Sequence, residues 1–358
     1  MKVLFVMGTS AGGVGAHVRG LVRLLAQEGH RVVVACPREV ADRFALADHA
    51  AVVELEVTDR PHPVRDTAAV RTLAGPVRGA DVVHAHGLRA GALAVLAASR
   101  TGVPVVTTLH NAAPTARLTA AVYAALERVV ARGSALVLGV SADLVERMRR
   151  LGARRTGLAV VPAPPFEPAR RDRYAVHAEL GLDSRTCLGV VVARLAPQKG
   201  LHRLLDAHRE LTDLDLVTVV AGDGPQRAEL QRRIDVEHLP VRLLGRRDDV
   251  PDLLAAADVV VSSALWEGQP VGLQEALHAG AAIVATDAGG TAAVVGDAAV
   301  LVPVDDATSL SRAVRDVVTH GGVRDDLRSK AVERAAQLPS EADALTAALE
   351  AYREVGAG

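Results

Sequence analysis

The first half of the chain alternates short runs of β-branched and aliphatic residues with longer stretches whose apolar positions recur every three or four residues. Val3 to Val6, Arg31 to Ala35, Val52 to Leu55, Asp81 to Val83, Val103 to Thr107, Ala135 to Val140 and Leu158 to Val161 read as strands. Between the first two, Val14, Val18, Leu21 and Leu25 fall on one helical face, and Gly29 closes the helix. Strand, helix, strand in this rhythm implies a parallel sheet covered on both faces.

The rhythm stops at "VPAPPFEPARR", Val161 to Arg171, where four prolines exclude a central strand or a helix interior. It then restarts, with strands expected at Cys187 to Ala193, Leu214 to Ala221, Val241 to Leu244, Val259 to Ser262, Ala281 to Ala285 and Ala299 to Val302. The expected organisation is α/β: two Rossmann-like parallel-sheet domains, 1–163 and 170–340, facing each other across a cleft. The last helix, about 341–358, packs back on the first domain.

Composition narrows the field. With 41 basic and 42 acidic residues in 358, nothing global favours nucleic acid, and an aromatic content of 2% removes base-stacking platforms. "MKVLFVMG" is too short for a signal-peptide core and no apolar run is long enough to span a membrane, while Cys36 and Cys187 lie in strand-like segments. A reduced cytoplasmic setting is expected. Arg147, Arg149, Arg150, Arg154 and Arg155 cluster in "ERMRRLGARR", so a peripheral position on the inner membrane face stays open beside the plainer reading, a solvated basic surface.

Five stretches can carry chemistry. "MGTSAGGVGAHV" places Gly8, Gly12, Gly13 and Gly15 between the first strand and its helix, either to let amides approach a phosphate or only to pack a tight turn. It breaks the G-x-G-x-x-G dinucleotide pattern, which disfavours a dehydrogenase. In "ARLAPQKG", Arg194 and Lys199 stand at the end of a buried strand, suited to a pyrophosphate or, more plainly, to helix capping and solvent. "SALWEGQPVGLQEALHAG" sets Glu267 in a loop and Glu275 about one and a half turns into a helix that Pro270 opens, where carboxylates can hold sugar hydroxyls or face solvent. His84 and His86 in "DVVHAHG", at a strand end, and His110 in "VTTLHNAA" could aim at a ligand; a metal site is not expected, for want of a third ligand. Asp213 and Asp215 form a D-x-D pair, but at the amino end of a strand, away from any site.

Together these stretches resemble the family-four retaining glycosyltransferases of GT-B architecture, over most of the chain and most specifically in its carboxyl half, through "VVARLAPQKGLHRLLDA", "VVAGDGPQRAEL" and the paired glutamates. The resemblance implies that Arg194 and Lys199 bind a donor diphosphate, Glu267 contacts the transferred sugar, Glu275 holds the ribose and His110 lies beside the reacting sugar. It also implies donor contacts from Gly12, Gly13, Gly222, Gly268, Gln269 and the backbone of Leu244, Gly245 and Arg246, and a cleft-side turn at Ser141. Where the family usually has E-G-F-G, this chain has Gln269 and Pro270 after Gly268, and proline offers no amide. Ala293 replaces a frequent glutamate.

The function so implied is retaining transfer of a hexose from a nucleoside-diphosphate sugar to a small-molecule, glycan or lipid-linked acceptor, with no cofactor and no metal. A nucleotide-sugar epimerase of the same architecture and a catalytically weak nucleotide-sugar-binding protein are the alternatives. Thr9 to Ser10 and Ala112 to Leu118, where acceptor choice would lie, carry no readable code.

Overall fold

The computed structural model describes residues 1–9, 12–57, 62–112 and 117–357. Ser10 and residues 113–116, in the stretches without an acceptor code, lie outside the described residues. The chain divides into two compact units, Met1–Pro164 with Pro339–Gly358, and Pro165–Leu338.

The first unit holds seven strands, β1 (Lys2–Met7), β2 (Arg31–Cys36), β3 (Ala51–Glu54), β4 (Val82–His86), β5 (Val105–Leu109), β6 (Leu136–Gly139) and β7 (Thr156–Leu158). All pair in parallel, in the order β3-β2-β1-β4-β5-β6-β7. The second unit holds β8 (Cys187–Val192), β9 (Leu216–Ala221), β10 (Val241–Gly245), β11 (Val259–Ser262), β12 (Ile283–Thr286) and β13 (Ala299–Val302), also parallel, in the order β10-β9-β8-β11-β12-β13. The apolar runs have no polar face because both sides of each sheet are covered: Val3, Phe5 and Met7 enter one core cluster while Leu4 and Val6 enter another. In β12 and just before it, Ile283 and Ala285 point to one side and Ala282 and Val284 to the other.

Three local features differ from the sequence reading. The seventh strand is Thr156–Leu158, not Leu158 to Val161, because pairing with β6 ends at Gly139 and the chain turns off toward the prolines. β4 continues through His84 and His86, which therefore lie inside the sheet with ladder partners on both sides, not beyond its end. Gly15 belongs to the helix Gly13–Gln27, where a Cβ would stand 2.1 Å from the ring of Phe44.

The final helix, Glu341–Glu354, opens with a reciprocal capping box between Ser340 and Asp343. Its buried residues Ala344, Leu345, Ala348, Leu349 and Tyr352 join the core beside β1 and β2, and Arg23 donates to Glu341 at 2.5 Å. Tyr352 is fully buried, and its hydroxyl lies 2.7 Å from His84 Nδ1. Tyr352→Phe leaves that ring nitrogen buried without a partner, so we expect the first unit to lose about 1–3 kcal/mol. Urea unfolding measures this, and an unchanged midpoint would show that the bond contributes nothing.

Candidate active site

In the second unit the strand order reverses direction between β8 and β11, so the loops leaving these strands diverge and open a crevice at the carboxyl edge of the sheet. Arg194, Lys199 and Glu267 all sit on those two loops. The β8 loop is fixed on both sides, chiefly by backbone. Leu195 N donates to Asp223 O at 3.0 Å and Gln226 N to Leu195 O at 3.0 Å, tying it to the turn after β9. Leu265 N donates to Gln198 O at 2.8 Å and Ser263 Oγ to Lys199 O at 3.0 Å, tying it to the loop after β11. Gly200, with φ +60, leads into the helix Leu201–Arg209; a Cβ there would stand 2.0 Å from Ser263 O. Gly222, with φ +146, is equally constrained, its Cβ position lying 2.0 Å from Ala193 O.

On this frame the side chains differ sharply. Arg194 is exposed, and its guanidinium has no hydrogen bond or ion pair among the described residues. Lys199 Nζ donates to Glu267 Oε1, and that carboxylate is nearly buried. Gly290 N donates to Glu267 O at 2.9 Å, fixing the backbone of the same loop. Pro270 takes the position just before the helix Val271–His278, so the amides offered there begin at Val271. Glu275 lies in that helix, half-buried and without a side-chain partner among the described residues; burial raises its carboxyl to about 6. Between β9 and β10 the register shifts at Leu243 and Gly245, which leaves Leu244 outside the ladder, and Gly245 adopts φ +76 with its carbonyl accepting from Gly222 N at 2.7 Å. Arg246 follows, exposed, and Gly268 is buried beside Glu267.

The first unit repeats the reversal between β1 and β4. Gly12 precedes the helix Gly13–Gln27 with no side-chain cap, and a Cβ on it would meet nothing within 4 Å. Gly12 and Gly13, at the start of the helix, are both exposed. The same unit holds a cluster of imidazoles. His86 Nδ1 is 2.9 Å from His110 Nε2, and the rings stack at 5.2 Å. His84 is bonded at both nitrogens, to Tyr352 and to Thr108 Oγ1 at 2.8 Å, and its ring lies 4.2 Å from that of His86. His17 meets His86 and His110 edge-on at 5.7 and 5.9 Å. Burial, reinforced for all but His17 by the neighbouring rings, holds His17 down to about 4, His84 to about 3, and His86 and His110 well below the ordinary imidazole value. All four are neutral at pH 7.

The structure thus brings Arg194, Lys199, Glu267, Gly268, Gln269, Glu275, Gly222, Leu244, Gly245 and Arg246 to one edge of the second sheet, and Gly12, Gly13 and His110 to the corresponding edge of the first. Ser141 is buried at the start of the helix Ala142–Arg150, its hydroxyl unpartnered. Asp213 is held by two 2.7 Å bonds from Arg315 just before β9, at the opposite edge. Among the described residues no group of three His, Cys, Asp or Glu is placed to hold a metal ion, and no helix is long and apolar enough to cross a membrane. In the arginine-rich stretch, Arg147 grips the buried Glu127 at 2.5 and 2.7 Å, Arg149 and Arg150 pair with Glu146, and Arg155 reaches Glu354. Arg154 alone of the five has no carboxylate partner among the described residues. Sequence reasoning missed His17 and Tyr352. His17 was within reach, since it follows Val14 by three and precedes Leu21 by four on the apolar helix face.

Residues 172–337 match the family described as "Glycosyl transferases group 1", and residues 12–164 match a "Glycosyl transferase 4-like domain". An alpha-D-kanosaminyltransferase from Streptomyces kanamyceticus is 30% identical over 305 residues, 76% of this chain and 77% of that enzyme. An Escherichia coli UDP-Gal:alpha-D-GlcNAc-diphosphoundecaprenol alpha-1,3-galactosyltransferase is 30% identical over 226 residues, 59% of this chain and 58% of that enzyme. Among solved structures, HepE of Anabaena in complex with UDP and glucose superposes with a TM-score of 0.84 over 99% of both chains at 21% identity. The chain belongs to the group 1 glycosyltransferases, and its fold is GT-B.

Glu275 yields a test of the ligand-free site. Because its folded-state value is raised, the neutral form is favoured by folding; stability is full below the ordinary value of 4.5 and falls as pH rises through about 6. Glu275→Gln should therefore stabilise the unliganded protein by about 1–2 kcal/mol at pH 8 and by less than half of that at pH 5. Denaturant melts at the two pH values measure the difference, and equal gains at both would contradict a buried, ionising carboxylate.

Proposed function

We propose that the protein transfers a hexose from a nucleoside-diphosphate sugar to an acceptor hydroxyl with retention at the anomeric carbon, without a metal ion. The observation that carries this reading is Arg194, an exposed guanidinium with no protein partner among the described residues, at the strand-order reversal beside Lys199 and the start of the helix Leu201–Arg209. A planar donor fork, a compact cation and first-turn amides together suit a diphosphate. Gly222, Gly268 and Gln269 would line the same anion, and the backbone of Leu244, Gly245 and Arg246 would frame the base. The half-buried Glu275, unpaired among the described residues, would accept hydrogen bonds from the ribose diol, exchanging an uncompensated desolvation for two donors. Gly12 and Gly13 would approach the phosphate and His110 the transferred sugar.

A nucleotide sugar as donor is supported by likeness: a GT-B neighbour was solved with UDP and glucose, and the E. coli relative is named for UDP-Gal and a diphosphoundecaprenol-linked acceptor. As the anomeric C–O bond breaks, charge accumulates on the leaving diphosphate, and Arg194 and Lys199 offset it. The acceptor oxygen attacks from the face the diphosphate leaves, and a phosphate oxygen takes the acceptor's proton. Glu267 is paired to Lys199 and so serves as a hydroxyl binder, not as the nucleophile of a covalent intermediate.

Incubation with uridine, guanosine and adenosine diphosphate sugars, with and without candidate acceptors and a chelator, followed by mass spectrometry, tests the reading. We expect a new glycoside from one donor class, unaffected by chelation, and a drop of roughly 100-fold or more in turnover for Arg194→Ala. Near-normal turnover of the folded variant, or nucleotide release that never yields a glycoside, would overturn it.

A further inference from the structure

The hydrogen bond between His86 Nδ1 and His110 Nε2 carries one proton, and two neutral imidazoles can share it in two ways. If His110 donates, His86 must bear its own proton on Nε2. If His86 donates from Nδ1, its Nε2 is a bare lone pair. That Nε2 is buried and has no hydrogen-bond partner among the described residues, in a residue only 3% exposed. Buried backbone N–H groups are left orphaned more rarely than acceptors are left unused, and the same preference selects the second arrangement.

The surroundings reinforce it. His84 cannot receive a proton from His86, because Tyr352 and Thr108 occupy both of its nitrogens. Phe5 stacks on the His86 ring at 5.6 Å and His17 meets it edge-on, so the ring has little room to turn. With His110 Nε2 accepting, the proton of His110 itself sits on Nδ1. That nitrogen has no partner among the described residues, and His110 is 9% exposed.

We propose that His86 is a positioning residue for sugar transfer: by donating to His110 Nε2 it fixes the His110 tautomer with N–H on Nδ1, so that His110 meets the sugar as a hydrogen-bond donor to a neutral oxygen and not as a base. This rests on the reading that His110 lies beside the transferred sugar. A base would present a bare lone pair at the outward nitrogen, and here that nitrogen holds the proton.

The test uses the full chain labelled with ring-15N histidine. Long-range 15N–1H spectra, with the His110 signals assigned by their loss in His110→Asn, should show an unprotonated Nε2 and a protonated Nδ1 in the wild type. His86→Phe keeps the stacking and removes the donor, so the His110 signals should move toward the opposite tautomer. In the same variant kcat should fall roughly 10- to 100-fold, the range typical of groups that orient a working histidine, with the donor KM within about two-fold. His86→Asn, whose amide can return a donor near the lost Nδ1, should restore most of kcat. A protonated Nε2 in the wild type overturns the proposal even if the Phe variant fails to fold, and so does an unaltered His110 tautomer in a folded His86→Phe. A tautomer change with kcat unaltered instead overturns the placement of His110 at the sugar.

Discussion

The second unit depends on carbonyl oxygens that come so close to neighbouring Cα atoms that no side chain fits between them. Ser263 O against Gly200, Ala193 O against Gly222 and Glu267 O against Gly289 each leave about 2 Å for a Cβ, far inside contact distance, and all three glycines have positive φ. These approaches let the loops after β8, β9, β11 and β12 bond to one another largely through backbone, with Ser263 Oγ and the Lys199–Glu267 pair adding side-chain links. Arg194, Lys199, Glu267 and the Leu244 bulge are therefore borne by a rim held together by backbone, which on the proposed reading presents them to a ligand.

The rim is not electrostatically content. Lys199 and Glu267 satisfy each other, whereas among the described residues Arg194 is unpaired and the half-buried Glu275 has no side-chain partner. On the proposed reading, a diphosphate and a ribose diol complete these two groups, and the stability given up in the empty protein reappears as affinity. The first unit makes the opposite choice. Its imidazoles are kept neutral by burial and by one another, so they contribute directed hydrogen bonds and no charge.

Much of the fold was legible because a doubly covered parallel sheet leaves an unmistakable trace, apolar runs alternating with helical periodicity; each apolar run that reads as a strand overlaps one among the described residues. Strand ends were less legible. Polar residues such as His84 and His86 look like a strand's limit, and only the partners supplied by Thr108, Tyr352 and His110 explain why they continue it. Arg194, Lys199 and the two glutamates were singled out by residue type and spacing, and the structure places them at one edge of the second sheet. The Lys199–Glu267 pairing was not, because it joins loops 68 residues apart. Tyr352 lies 268 residues from His84, a separation no local pattern can encode. Of the two readings left open for the glycine loop, packing accounts for Gly15, whose missing side chain answers the bulk of Phe44.

The second unit is inserted within the first, between Pro164 and Pro339. A ribosome therefore releases every strand of the β1–β7 sheet, then the whole of the following unit, before the segment bearing Tyr352 emerges. Until then the nascent sheet lacks the apolar side chains of Ala344, Leu345, Ala348 and Leu349, and His84 lacks its phenol. Usual amino-to-carboxyl order is thus inverted: the later-made unit can mature as soon as it emerges, while the earlier one waits for the helix that carries Tyr352.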